Sequence, residues 1–107
     1  MTTRKLTGLL GMCRRAGRLV TGFDAVVALC REQTALLMIT TDTSKRTVKE
    51  LRFRLANVPV YQIPLTKEET AQAIGSQKPI AVLATADDGF SRAILPYVTE
   101  EESHYDD

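Results

Sequence analysis

The sequence has few of the residues on which catalytic and metal sites most often depend. It contains one histidine, two cysteines and no tryptophan. Cys13 and Cys30 are too few for a disulfide framework and lack the spacing of metal ligands, so we expect both to be buried. A cysteine nucleophile would need a neighbouring base, but His104 lies among the acids at the end of the chain. The sequence therefore predicts no catalytic residue, no metal site and no cofactor.

Long apolar runs and nucleotide-binding loops are also missing. The longest apolar run, residues 35–39, is far shorter than the roughly 20 residues that span a bilayer. No small-residue cleavage site follows the first residues, so we expect a cytoplasmic protein with no membrane partner. Gly8, Gly11, Gly17 and Gly22 match neither common phosphate-loop pattern. We therefore expect no small-molecule substrate.

The charge is divided unevenly along the chain. Residues 1–54 hold 11 lysines and arginines against four acids, a net +7, whereas residues 55–107 are net −6. Five acids lie in the last eight residues, so residues 99–107 are predicted to be a flexible acidic tail on a single domain, residues 1–98. Without that tail the net charge is about +6, which favours a polyanionic partner such as RNA. Ordinary solvated helix faces are the alternative explanation.

Apolar periodicity predicts alternating helices and strands. Helical spacing covers residues 6–16 and 23–30, and compact apolar runs at residues 36–40 and 80–84 predict strands buried on both faces. Shorter signals add a capping box from Thr66 to Glu69 and further helices and strands. The resulting order, α-β-α-β-α-β-α-β-α, predicts a small sheet covered by helices on both faces.

Two short segments have features that suit RNA contact. In the segment from Thr21 to Asp24, glycine permits close approach of a backbone, and the helix that follows presents free N–H groups to an anion. Lys78 lies in a loop between two predicted elements. Each feature also has a simpler explanation, because glycine before a helix often only turns the chain and a loop lysine is usually solvated.

Four sequence blocks occur in a fixed order over residues 4–97. They are LLGMCRRAGRLVTG at 9–22, ALLMITTD at 35–42, NVPVY at 57–61, and AIG at 73–75 followed by the strand at Val82 and by Gly89 and Phe90. In order and spacing these blocks resemble the kink-turn-binding ribosomal proteins, and among them the small YlxQ-like bacterial RNA-binding proteins. The resemblance implies an α/β/α sandwich around a small mixed four-stranded sheet, no catalysis, and recognition of bent, structured RNA, ribosomal RNA in particular.

The resemblance also implies where RNA would bind. In that family the RNA surface combines the loop and start of the second helix with the loop before the last core strand. Carried over to this sequence, the expected RNA-binding residues are Arg18, Thr21, Gly22, Phe23, Asp24, Gly75, Ser76, Gln77, Lys78 and Pro79.

The sequence departs from the family pattern at three positions of the second helix. In proteins that bind kink-turns, the glycine is followed by one residue and then by Asn-Glu, and a lysine stands six positions after the glycine. Here Asp24, Ala25 and Ala28 stand at those positions. An aspartate and two alanines do not supply the same donors and positive charge. This departure predicts weaker kink-turn reading, although YlxQ-like members also differ from the pattern.

Two hypotheses for function follow. The first is a cytoplasmic, non-enzymatic RNA-binding protein of the ribosome or of translation, with ribosomal or translation proteins as further partners. The second is a protein-interaction module that keeps the fold and has lost kink-turn recognition, as Ala25, Ala28 and the acidic tail suggest. The first predicts binding that nuclease and salt abolish, and the second predicts binding that survives both.

Overall fold

The computed structural model describes residues 2–102, which form five α-helices and five strands. The helices are α1 (Thr2–Arg15), α2 (Phe23–Glu32), α3 (Lys45–Arg54), α4 (Lys67–Ile74) and α5 (Asp88–Ile94). The strands are β1 (Val20–Thr21), β2 (Leu36–Ile39), β3 (Val60–Gln62), β4 (Val82–Thr85) and β5 (Thr99–Glu100). A short 3-10 turn, Leu95–Tyr97, follows α5. The alternating order of helices and strands predicted for the body of the chain is confirmed.

The strands form one mixed sheet in the order β1-β4-β2-β3-β5. Strands β2 and β3 are parallel, and the other three neighbouring pairs are antiparallel. The two central strands, β2 and β4, are buried along their whole length. Their continuous apolar runs are therefore explained by helices on both faces of the sheet.

Two apolar clusters, one on each face of the sheet, make up the core. Helices α2 and α3 pack on one face, against Leu37 and Ile39 of β2. Helices α1, α4 and α5 pack on the other face, against Leu36 and Met38. Successive residues of β2 thus point to opposite layers, as the pleat of a strand requires. The predicted three-layer α/β/α class is confirmed.

Local signals in the sequence mark most helix ends. The capping box forms at α4, where Thr66 Oγ1 accepts a hydrogen bond from Glu69 N–H at 3.1 Å and Glu69 Oε1 accepts one from Thr66 N–H at 2.9 Å. Gly75 closes the same helix in the left-handed conformation. Asp87 caps α5 through Phe90 N–H. Both cysteines are buried and unpaired, as expected.

The four-stranded sheet and the tail boundary require correction. The sheet has a fifth strand, β5, in which Tyr61 pairs with Glu100, and the next amide, Glu101 N–H, donates to the Val60 carbonyl at 2.7 Å. Residues 99–101 therefore belong to the sheet edge and not to a solvated tail. Both residues of β5 are exposed and polar, so backbone hydrogen bonds form the strand without an apolar pattern. Residues 103–107 of the predicted tail, including His104, lie outside the described residues.

Within the described part of the chain, no helix is both long enough and apolar enough to cross a membrane.

Candidate nucleic-acid interface

The start of α2 is built around Gly22, whose φ of 96° and ψ of 146° favour glycine over any residue with a side chain. The first helical hydrogen bond runs from Val26 N–H to the Gly22 carbonyl at 3.0 Å. The N–H groups of residues 23–25 precede that bond, and no side chain caps them. Helix N-termini of this kind attract anions, because the free N–H groups and the helix dipole both favour negative charge.

Backbone pairing places this helix start beside the first residues of β4. Thr21 pairs with Leu83, and Gly22 N–H donates to the Val82 carbonyl at 2.9 Å. The loop that leads into β4 contains the second group of predicted site residues. The structure therefore brings the two predicted segments to one end of the sheet through the β1–β4 register.

The loop from Gly75 to Pro79 is held by its own hydrogen bonds. Ser76 Oγ donates to the Lys78 carbonyl at 2.9 Å and accepts from Lys78 N–H at 3.1 Å. The side chains of Gln77, Lys78 and Pro79 are exposed. At the end of the loop, Ile80 N–H donates to the Lys67 carbonyl at 3.2 Å, which ties the loop to α4. The loop thus presents a cation and a proline ring to solvent on an ordered backbone.

Helix α3 completes the surface on the other side of Gly22. A depression beside the α2 start is lined by Gly22, Phe23, Arg46, Thr47, Glu50, Ala81 and Val82. Arg46, Thr47 and Glu50 were absent from the residues predicted from sequence. The basic character of α3 was the available signal, but its place beside α2 depends on how both helices pack against the sheet.

Phe23 is half-buried and packs against the apolar cluster on its face of the sheet. The Arg54 guanidinium lies 5.8 Å from the centroid of its ring, within the range of a cation–π contact. Phe23 thus fixes the start of α2 against the core and against α3. Asp24 and Ala25, which follow it, are exposed, as is Ala28 one turn further along.

The structure places Arg18 away from the other predicted residues. Its guanidinium Nε lies 3.8 Å from Asp87 Oδ2, and its side chain is 64% exposed. Arg18 shares a depression with Leu29 of α2 and with Gln33, the residue that follows this helix. Because β1 and β4 are antiparallel, this depression lies at the opposite end of the β1–β4 pair from Gly22.

Two helix starts near the Gly22 end of the sheet, those of α3 and α4, are capped by side chains. Ser44 Oγ accepts from Thr47 N–H at 3.1 Å at the start of α3. At α4, Asp42 Oδ1 accepts from Lys67 N–H at 2.9 Å and from the Thr40 hydroxyl at 2.9 Å, in addition to the capping box. Desolvation acts to raise the pKa of Asp42, but these hydrogen bonds outweigh it and the pKa is lowered.

The cysteine thiols are poor candidates for chemistry. Burial raises the pKa of Cys13, which a hydrogen bond with Thr85 partly offsets and the charge of Asp87 reinforces. Burial also raises the pKa of Cys30. Both thiols therefore stay protonated at neutral pH and are weak nucleophiles. Across residues 2–102, no group of histidine, cysteine, aspartate and glutamate side chains is arranged to hold a metal ion.

Among known proteins, two relatives of this chain carry the same name, and two solved structures share the fold. No family model matches the chain. The RNA-binding protein YlxQ of Enterococcus faecium is 30% identical over 92 residues, which cover 83% of this chain and 86% of that protein. The RNA-binding protein YlxQ of Bacillus subtilis (strain 168) is 30% identical over 91 residues, which cover 81% of this chain and 88% of the relative.

Two solved structures have the same architecture. A Bacillus halodurans C protein of unknown function superposes with a TM-score of 0.74 at 30% identity, covering 87% of this chain and 95% of that chain. The 15.5kD RNA binding protein of Giardia lamblia superposes with a TM-score of 0.69 at 17% identity, covering 90% of this chain and 83% of that chain. At that identity the second match supports the fold alone.

Proposed function

The chain belongs to the YlxQ family of RNA-binding proteins, and from this premise we propose that it binds structured, kink-turn-like RNA. The proposed contact surface is the uncapped start of α2 together with the loop from Gly75 to Pro79. The observation that supports the proposal is the hydrogen bond from Gly22 N–H to the Val82 carbonyl, which places the start of α2 beside the first residue of the strand that this loop precedes.

At the start of α2, the free N–H groups of residues 23–25 would donate to a phosphate oxygen of the RNA backbone. Gly22 is exposed, and no side chain projects from it. The RNA backbone can therefore approach the helix end closely. These contacts position the RNA without reading its sequence.

In the loop before β4, Lys78 would neutralise a second phosphate and Pro79 would pack on an exposed base. The two hydrogen bonds between Ser76 and Lys78 hold this segment in one conformation, which lowers the entropy cost of binding. Thr21 and Gln77 border the same surface and supply polar groups at its edge.

Arg18 contributes at longer range in this proposal. Its pair with Asp87 is long, at 3.8 Å, and joins an exposed guanidinium to a half-buried carboxylate; surface pairs of this kind are worth little. The guanidinium therefore remains available to phosphate groups. Arg14 and Arg15, both exposed in the last turn of α1, extend the positive region and favour association with RNA.

Base reading by α2 is expected to be weak. Asp24, Ala25 and Ala28 are exposed on this helix, but together they do not provide the amide, carboxylate and ammonium groups of the kink-turn pattern. The Asp24 carboxylate also lies in the first helical turn, where it repels a phosphate bound to the N–H groups. Shape and phosphate contacts would then contribute more to affinity than base contacts do.

We further propose that the protein is non-enzymatic and acts in the cytoplasm with ribosomal RNA, ribosomal proteins or translation factors. The positive charge of the first 54 residues, net +7, supports a large RNA partner. The raised pKa values of both thiols support a role without cysteine chemistry.

A protein-interaction role is the second candidate, and one observation favours it. The exposed face of α2 carries Ala25 and Ala28, two small apolar residues that suit contact with another protein better than recognition of a base. A protein partner would stay bound after nuclease treatment and at moderate salt, whereas an RNA partner would be released.

A fluorescence titration tests the proposal. The full chain is titrated with a labelled kink-turn RNA and with a control RNA that lacks the G·A pairs, each at two salt concentrations. We expect preference for the intact kink-turn. Lys78→Ala should lower the salt slope by about 0.9, the value for one phosphate on a duplex. Arg31→Ala, an exposed change in the last turn of α2, is the matched control and should leave the slope unchanged.

Two results would contradict the proposal. Equal, salt-sensitive binding to both RNAs would leave only backbone electrostatics, without recognition of the kink. Binding to neither RNA, together with nuclease-resistant capture of a protein partner, would favour the interaction module.

A further inference from the structure

The outward face of α3 carries an exposed aromatic ring among cations. Phe53 is 81% exposed, far more than Met12 at 47% or Leu95 at 44%. Arg46 and Lys49 lie seven and four residues before it and are also exposed. Residues separated by four and seven positions share one face of a helix. Phe53, Lys49 and Arg46 therefore form one solvent-facing row, here called the α3 stripe; the exposed Glu50 borders the same face, where its carboxylate is paired with Arg54.

The α3 stripe begins at the proposed RNA site. Arg46 lines the depression beside Gly22 and Phe23. From Arg46 to Phe53 the helix rises by about 10 Å, at about 1.5 Å per residue. An RNA strand leaving the α2 start along α3 would therefore reach the Phe53 ring within a few nucleotides.

Two other cations of α3, Arg52 and Arg54, are engaged by the protein itself. Arg54 pairs with Glu50 at 3.5 Å and lies over the Phe23 ring. The Arg52 guanidinium donates to the Glu101 carbonyl on the side of β5. Among the described residues, Arg46 and Lys49 take part in no ion pair. Lys45, at the first position of α3, is likewise in no ion pair within residues 2–102 but lies eight residues before Phe53. Arg46 and Lys49 are thus the unengaged cations that share the face of the exposed ring.

We propose that the α3 stripe is a second RNA-binding surface, on which an unpaired base outside the kink stacks against Phe53 while Arg46 and Lys49 contact the adjoining phosphates. This inference rests on the proposed function, because it assigns the path of RNA beyond the α2 site. Exposed aromatic rings within basic grooves bind single-stranded nucleic acid by such stacking. Cores of protein interfaces are depleted in charge, so a ring in a row of cations suits RNA better than a protein.

The test compares two forms of one RNA with the full chain. One form is a blunt kink-turn duplex, and the other carries about six unpaired nucleotides at one end, within the range that single-strand sites occupy. A 2-aminopurine in the extension reports stacking by a fall in its fluorescence. The extension is placed at each end of the duplex in turn. We expect an extension to raise affinity by about 5- to 150-fold, the factor of one base–aromatic stack.

Variants of the α3 stripe separate stacking from charge. Phe53→Ala should remove the gain in affinity and the fluorescence change, and Phe53→Tyr should retain both because the ring remains. Met12→Ala, which removes another exposed apolar side chain, is the matched control. The double variant Arg46→Ala/Lys49→Ala should lower the salt slope on the extended RNA by about 0.7 for each single-strand phosphate that is no longer neutralised.

The outcomes distinguish this inference from the proposed function. Binding of the blunt duplex with no gain from either extension, or a gain that persists in Phe53→Ala, overturns the α3 stripe alone. If the wild-type protein binds neither the blunt nor the extended RNA, the proposed function and the stripe are overturned together. A Phe53-dependent gain, with the fluorescence change, supports both.

Discussion

Helices α2 and α4 both begin beside the segment that leads into β4, yet their first turns differ in hydrogen bonding. At α4, side chains of Thr66, Glu69 and Asp42 accept from three of the first backbone N–H groups. At α2, no side chain caps the N–H groups that follow Gly22. The backbone of Ile80 and of Val82 links the two starts through Lys67 and Gly22.

The difference separates a structural helix end from one suited to a ligand. Unsatisfied N–H groups at a helix start carry part of the positive end of the dipole and are stabilised by anions. At α4 the protein supplies those acceptors itself. At α2 they are left for water or a bound phosphate, and glycine keeps the approach open. Four variants test this comparison.

Substituting Gly22 should have the largest effect. Gly22→Ala forces a side chain into a conformation that glycine almost alone populates, at a cost of about 1–3 kcal/mol. It also places a methyl group where RNA would approach, so RNA affinity should fall. Urea unfolding and RNA titration measure the two effects. Gly8→Ala, at an exposed position within α1, is the matched control and should not destabilise the fold. If Gly22→Ala kept the stability and the RNA affinity of the wild type, the role assigned to Gly22 at the start of α2 would be contradicted.

Restoring the kink-turn pattern should strengthen the recognition of kink-turn RNA by α2. The triple variant Asp24→Asn/Ala25→Glu/Ala28→Lys changes three exposed positions and adds base-edge donors and acceptors and a cation. Because good bidentate base contacts are each worth about 1–3 kcal/mol, we expect affinity for kink-turn RNA to rise about 10-fold or more. The control RNA without G·A pairs should gain less. An equal gain on both RNAs would mean that the added charge acts alone.

Removing the α4 cap should affect stability and leave RNA binding intact. Thr66→Ala abolishes the capping box and should cost about 1 kcal/mol of unfolding free energy. Denaturant unfolding measures it, and Thr34→Ala, an exposed threonine outside the helices, is the control. If Thr66→Ala weakened RNA binding as strongly as Gly22→Ala, the distinction between the two helix starts would fail.

The smallest effect concerns Asp42, which accepts from Lys67 N–H at the α4 start. Its pKa is lower in the folded protein than its ordinary value of 3.8. The stability that the ionised Asp42 carboxylate provides is therefore complete above its ordinary pKa and disappears as the pH falls through its pKa in the folded protein. The stability difference between wild type and Asp42→Asn should thus shrink below about pH 3.8. A difference that stayed constant from pH 7 to pH 2 would contradict this role.

Features governed by short-range sequence were predictable. The capping box at Thr66, the helix end at Gly75 and the buried strands β2 and β4 follow from local hydrogen bonding and apolar pattern. The site assigned to the segments around Gly22 and Lys78 rests on the glycine, the helix start and the family resemblance, and it stays a prediction. The register between β1 and β4 places Gly22 beside Val82, the first residue of the strand that the Lys78 loop precedes.

Features governed by tertiary packing were not predictable. Strand β5 is short, polar and exposed, so its pairing with β3 left no signal in the apolar pattern. The distance of Arg18 from Gly22 follows from the antiparallel direction of β1 and β4, and its ion pair with Asp87 joins residues far apart in sequence. The place of Arg46 beside Gly22 depends on how α3 packs beside α2.

Backbone amide NMR during titration with kink-turn RNA tests the central claim most directly. In the ¹⁵N-labelled full chain, the amide signals of Phe23, Asp24 and Ala25 should shift on binding because a phosphate accepts their hydrogen bonds. The signals of Lys67 and Glu69, whose N–H groups already have side-chain acceptors, should stay nearly unchanged. Binding that shifts the α4 amides and leaves the α2 amides in place would contradict the account.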